Sequence, residues 1–108
     1  MGSRVGNMIF SSGIMGADPT TGVIPDDAAQ QAEFAFQNLR TFLELAGATP
    51  EQVGKVTVHV KNEADRDLIN KPWLEMFPDP HHRPARHAVQ ANLRRNMLFQ
   101  LEVIAVLP

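Results

Sequence analysis

The chain has 108 residues, 44% of them hydrophobic, a formal net charge of −2 and no cysteine. That length suits one globular domain spanning residues 1–108, and the missing cysteines exclude disulfides, a thiol nucleophile and thiolate metal sites. The acidic balance counts against nucleic acid as the main partner, because phosphate binding needs a concentrated positive field.

No apolar run reaches the ~18 residues of a membrane span, and no signal-like segment opens the chain, so a cytoplasmic protein is expected. From the start, Gly6-Asn7 is turn chemistry, and Met8 to Ser12 is a short extended run with room for another short strand before it. Gly13 ends that run. Asp18-Pro19-Thr20-Thr21-Gly22 is the core of the following loop.

Residues 28–46 carry the clearest periodicity. Ala28, Ala32, Ala35, Phe36, Leu39, Phe42, Leu43 and Ala46 recur at three- and four-residue steps, one stripe of an amphipathic helix. Asp27 with Gln30 reads as a capping box, and Gly47 is the natural stop. Thr49-Pro50-Glu51-Gln52 makes a capped single turn. Val53 to Val60 alternates Val56, Val58 and Val60 with Thr57, His59 and Lys61, a strand with one core face and His59 on the polar one. Glu63 to Phe77 is a second helix striped by Ile69, Trp73, Met76 and Phe77. Pro72 is tolerated only in a first turn, so its regular part starts near Asn70.

Two more strands close the chain, one through Arg83-Pro84-Ala85-Arg86-His87-Ala88-Val89 and one from Leu98 to Val106. A short polar loop separates them, so a β-hairpin centred on Arg94 is expected. Matching faces puts Val89, Ala91, Met97, Phe99 and Leu101 on a core face together with His87. Arg86, Ala88, Gln90, Leu98, Gln100 and Glu102 take the other face, with Arg86 directly opposite Glu102. A guanidinium is planar and always charged, and beside a carboxylate it points either to a small anionic ligand or to a structural ion pair. The element order β-α-β-α-β-β predicts an α+β protein, one mixed sheet with two helices on one face. The uncovered face carries Arg86, Gln90, Gln100 and Glu102 among Leu98, Ile104 and Val106, and a half-apolar face of that size is expected to meet another subunit.

The residues at the joints of this order resemble the Rid family, the reactive intermediate deaminases also called the YjgF family. The resemblance runs from Val5 to Val106. Val5 to Gly13 looks like the family's opening strand and glycine, and Asp18 to Gly22 like its DP-x-TG turn. Gln31, Asn38-Leu39 and Ala46-Gly47 match its first helix, and Val53 to Val58 the next strand. Asn70, Trp73 and Phe77 stand where it has N-x-x-[YW]-x-x-x-F. Pro84-Ala85-Arg86 and Glu102-Val103-Ile104-Ala105 match its two most specific motifs.

The resemblance implies a chorismate-mutase-like fold assembled as a homotrimer with pockets at the subunit interfaces. It implies that Arg86 clamps a substrate carboxylate, that the Gly13 amide contacts the same carboxylate, and that Trp73 and Gln100 line the pocket. Glu102 positions a water that attacks an enamine or imine carbon and releases ammonia, leaving a 2-oxo acid, with no metal or organic cofactor. Such chemistry needs a placed water, a proton shuttle and a held carboxylate, but no nucleophilic side chain. His81-His82 has no second ligand pair at metal spacing, so no metal site is expected there. Three departures stand out. The chain has no tyrosine, where the family has a pocket tyrosine in a longer leading segment; Ala88 replaces a common cysteine; and Gln100 replaces a common second glutamate. The pocket is therefore expected to be open at one wall. The alternative to a deaminase is a non-catalytic protein that binds or senses a 2-oxo acid. An endoribonuclease, an activity reported for some relatives, is disfavoured by the acidic balance and by the lack of an aromatic array for stacking RNA bases.

Overall fold

The helix forms where its stripe predicts. In a computed structural model that describes all 108 residues, α1 spans Ala28–Ala46. The Asp27 carboxylate accepts a hydrogen bond from the Gln30 amide at 3.2 Å, and Gly47 stops the helix at φ 74°, a left-handed conformation that glycine adopts without penalty. Ala32, Ala35, Phe36, Leu39 and Leu43 are buried, while Ala28, Phe42 and Ala46 pack at the margin of the core. A single 3₁₀ turn over Pro50–Gln52 follows, with the reciprocal capping box of Thr49 and Gln52.

The strands are β1 (Gly2–Val5), β2 (Met8–Ser11), β3 (Ile14–Met15), β4 (Val53–Val60), β5 (Ala85–Gln90) and β6 (Phe99–Val106). They form one mixed sheet in the order β1-β2-β6-β4-β5, with β3 pairing onto β6 beyond the end of β2. Between β4 and β5 the chain runs through a 3₁₀ segment, Glu63–Ile69, and then α2, Asn70–Met76. Pro72 thus falls in the first turn of α2, where its missing N–H does no harm. Both helices cover the same sheet face. Nineteen buried hydrophobic residues form one cluster there, including Val56, Val58 and Val60 from β4 and Phe99, Leu101, Val103 and Ala105 from β6.

Two expectations at the start of the chain are extended by the structure. The leading residues are a strand, antiparallel to β2 across the Gly6-Asn7 turn, and the segment after Gly13 is also paired, Ile14 with Leu101 and Met15 with Gln100. Both pieces are too short to show a sequence period of their own.

The terminal hairpin is not formed, which corrects the sequence reading. β5 lies parallel to β4, and β6 lies antiparallel to β4 on its other side, so β4 separates the two. Val56 aligns with Arg86 on one side and Val103 on the other, whereas Thr57 aligns with His87 and Glu102. Arg86 is therefore on the helix-covered face and Glu102 on the open one. His87, expected in the core, is exposed on the open face, and Leu98 packs against the core cluster rather than facing outward. The cause is the connection. A crossover through α2 lays the next strand parallel to β4 and outside it. The strand β6, with four of its side chains fully enclosed, takes the interior slot. Matching two neighbouring segments to each other cannot reveal a third strand between them.

Candidate functional site

The five residues singled out in the sequence fall into two groups on opposite faces of the sheet. Arg86 and Trp73 form one. Gly13, Gln100 and Glu102 form the other.

Arg86 sits on the free edge strand β5, and its guanidinium carbon lies 5.2 Å from the centroid of the Trp73 ring, which α2 holds in the core. A cation over an aromatic face is attracted by the ring quadrupole, and the stack fixes the plane of the guanidinium. Trp73 is itself braced by Phe77, ring centroids 4.8 Å apart. Arg86 has no ion pair with any carboxylate of the chain. Burial, and next the repulsion of Arg66, push its pKa below the ordinary value, with Asp67 opposing. A partly desolvated guanidinium without an anionic partner is a receptor for one.

On the open face, Glu102 on β6 is half-exposed, and the Nδ1 atom of His59 on β4 lies 3.8 Å from its Oε1. That Nδ1 atom is dehydrated and has no hydrogen-bond partner. The register of β3 on β6, continued one residue past Ile14, brings Gly13 alongside Glu102. A Cβ on Gly13 would run into the side chain of Gln100, so this glycine gives Gln100 the space it occupies. Beside Glu102 a shallow concavity of about 280 Å³ opens, lined among others by Phe10, Lys55, Thr57 and Ile104.

Two polar side chains of α1 hold these pieces in place. Asn38 donates to the carbonyls of Met15 and Ala17 at 2.9 and 2.8 Å, which fastens the segment after Gly13. Gln31 is fully buried and fully used: it donates to Pro25 and Asn96 carbonyls and accepts from the Leu98 amide, tying α1 to the start of β6. In the backbone of Gly16 there is no room for a side chain, because a Cβ would meet the main chain of Gln31.

Sequence reading placed His59 on a polar strand face but gave it no partner, and it passed over Arg66. The alternation of β4 marks the face of His59 but not its diagonal neighbour on β6. Arg66 lies in a 3₁₀ segment that carries no helical period to orient it. The His81-His82 pair does not form a metal cluster: His82 Nδ1 is 2.7 Å from the Asp79 carboxylate, and no group of three or more potential ligands converges in the chain. The His81 amide, and then the His82 ring, hold the Asp79 carboxyl below the usual range.

Between Arg86 and Glu102 stand two strand spacings, about 9.6 Å, and the sheet itself. One copy of the chain cannot bring both side chains to one small ligand.

Residues 2–107 match the family described as Endoribonuclease L-PSP. The 2-iminobutanoate/2-iminopropanoate deaminase of Escherichia coli strain K12 is 35% identical over 107 residues, covering 97% of this chain and 84% of that protein. The crystal structure of RidA from an Antarctic Psychrobacter superposes with a TM-score of 0.89 at 30% identity, covering 98% of this chain and 85% of the other. The structure of E. coli TdcF with bound serine superposes with a TM-score of 0.88 at 31% identity, covering 99% and 86%. The family model spans nearly the whole chain, the deaminase is more than 30% identical over most of its own length, and the solved structures superpose along almost the entire chain: the chain belongs to the Rid/YjgF family.

Proposed function

We propose that this protein is a hydrolytic deaminase of small enamine or imine carboxylates, acting in pockets formed between copies of a homotrimer. The observation that carries this is the pairing of two incomplete half-sites on opposite faces: an unpartnered, partly buried Arg86 on a free sheet edge, and Glu102 with Gly13 and Gln100 on the face that no helix covers. A neighbouring copy that docks its open face near that edge completes both. The E. coli relative named as an imine deaminase supports the reaction class, and the serine in TdcF supports a pocket for a small carboxylate.

In this reading Arg86 grips the carboxylate bidentately, the Gly13 amide adds a donor, and Trp73 fixes the guanidinium plane. An enamine first tautomerises to the imine. Glu102 accepts a proton from a bound water as the oxygen attacks the imine carbon, and the electron pair of the C=N bond moves to nitrogen. A carbinolamine results. Glu102 returns that proton to the nitrogen, then takes the hydroxyl proton of the carbinolamine and relays it to the nitrogen as well. The oxygen lone pair closes the C=O bond, the C–N pair leaves with the nitrogen as ammonia, and the 2-oxo acid remains. The overall balance is imine plus water to ketone plus ammonia. Gln100 neighbours the attack position and donates or accepts without changing charge.

Ammonia release from imines generated in situ tests the reading. Wild-type protein is expected to accelerate it, and Glu102→Gln is expected to lower turnover by about 10²–10⁴-fold while carboxylate affinity stays near wild type. A wild-type protein that binds a 2-oxo acid but never accelerates ammonia release is a binding or sensing protein instead. A Glu102→Gln variant with full turnover removes Glu102 as the base.

A further inference from the structure

Arg66 is a second cation beside Arg86 that the reaction just described does not use. The Ala91 amide donates to Val60, so by strand alternation the peptide groups of Arg86 and Ala88 face the free edge of β5. Arg66 meets that edge: its Nη2 donates to the Ala88 carbonyl at 3.1 Å. Its other donors are nearly idle. The Nε atom makes no hydrogen bond; it faces the Glu63 carboxylate at 3.5 Å in the one ion pair of this side chain, which is longer than a charge-assisted hydrogen bond and half-exposed on both sides. Arg86 and Ala88 are two strand residues apart, about 7 Å, on the same face of β5.

Two guanidiniums therefore share one free edge, and Arg86 has no anionic partner of its own. Like charges held together and partly out of water favour a ligand that brings more than one negative charge. The nearest carboxylates are Glu63, which is exposed and able to swing away, and Asp67, which acts on Arg86 only through space.

We propose that Arg66 is a specificity-determining residue that makes the ligand of this site a short-chain dicarboxylate, one carboxylate on Arg86 and the second on Arg66. The proposal rests on the reading of Arg86 as the carboxylate clamp, and it adds the class of substrate: an imine or enamine of a dicarboxylic acid.

Calorimetric titration of the assembled protein with 2-oxobutanoate and 2-oxoglutarate tests it. Wild type is expected to bind the dicarboxylate about tenfold or more tightly than the monocarboxylate. Arg66→Gln keeps a donor for the Ala88 carbonyl but loses the charge, and Arg66→Met loses both. Each is expected to abolish the preference while 2-oxobutanoate affinity changes little, with melting temperature confirming the fold. Arg86→Lys is expected to weaken both ligands. Equal wild-type affinities, or a preference that survives Arg66→Gln in a folded protein, overturns the role of Arg66 and leaves the clamp standing. If folded wild type binds neither ligand, the clamp falls and the role of Arg66 falls with it.

Discussion

The guanidinium of Arg86 is the side chain whose surroundings are most informative. It is stacked on Trp73, partly desolvated and unpaired, in a position where an internal ion pair with Glu102 is geometrically impossible. The structural ion-pair reading of these two residues is thereby removed within one chain. Lysine keeps the charge at this position but loses the planar fork and the stack on the indole. Arg86→Lys is expected to weaken 2-oxo acid binding by roughly ten- to a hundredfold in calorimetry, with the fold unchanged by circular dichroism. Unaltered affinity would assign Arg86 to edge protection of β5 alone. On the other face, Glu102 has the imidazole of His59 rather than Arg86 beside it, and the hydrophobic flank of Phe10 and Ile104 lies next to it.

At the scale of elements, α1 does two things at once. Its apolar stripe closes the core, and its Gln31 and Asn38 side chains pin the loops that lead into β6 and away from Gly13. Leu39 lies on that stripe and has no exposed surface. Leu39→Ala is expected to cost ~2–5 kcal/mol in denaturant unfolding, through lost transfer energy and the cavity left behind. A loss under ~1 kcal/mol would mean that the helix face collapses onto the gap, or that the stripe contributes little. β4 is the other organising element, since both β5 and β6 hydrogen-bond to it and its alternation assigns every neighbouring residue to a face.

For the whole molecule, the helices leave one sheet face bare. Met8, Phe10, Ile104 and Val106 make its apolar end, and Thr57, His59, His87, Gln100 and Glu102 make its polar end. A homotrimer is expected from light scattering at micromolar concentration, and a monomer there would leave both half-sites unjoined. The split site also makes a sharper demand on the assembly. When Arg86→Lys and Glu102→Gln chains, each strongly impaired alone at subsaturating substrate, are co-expressed in equal amounts, about a quarter of the interfaces in a cyclic assembly pair an intact Arg86 with an intact Glu102. Deaminase activity is expected to return to about that fraction of wild type. No recovery in mixed trimers would place both residues of a working site on the same chain.

Much of this was already legible in the residues. The period of Ala28 to Ala46, the alternation of Val53 to Val60, the position of Pro72 and the stop at Gly47 are local signals, and each produced the element it predicted. Gly13, Trp73, Arg86, Gln100 and Glu102 are singled out through the resemblance of the surrounding segments to a family, and no local period marks them. Strand order was not legible, because a face pattern records which side chains share a side and not which strand lies between them. That is why Arg86 and Glu102, side by side in the expected hairpin, stand on opposite faces once β4 is inserted. The partners of His59 and Arg66 depend on diagonal and edge contacts between segments distant in the chain, and no local period encodes those. Sequence determined the longer elements, whose periods are local; the crossover through α2 decided that Arg86 and Glu102 stand on opposite faces of the sheet.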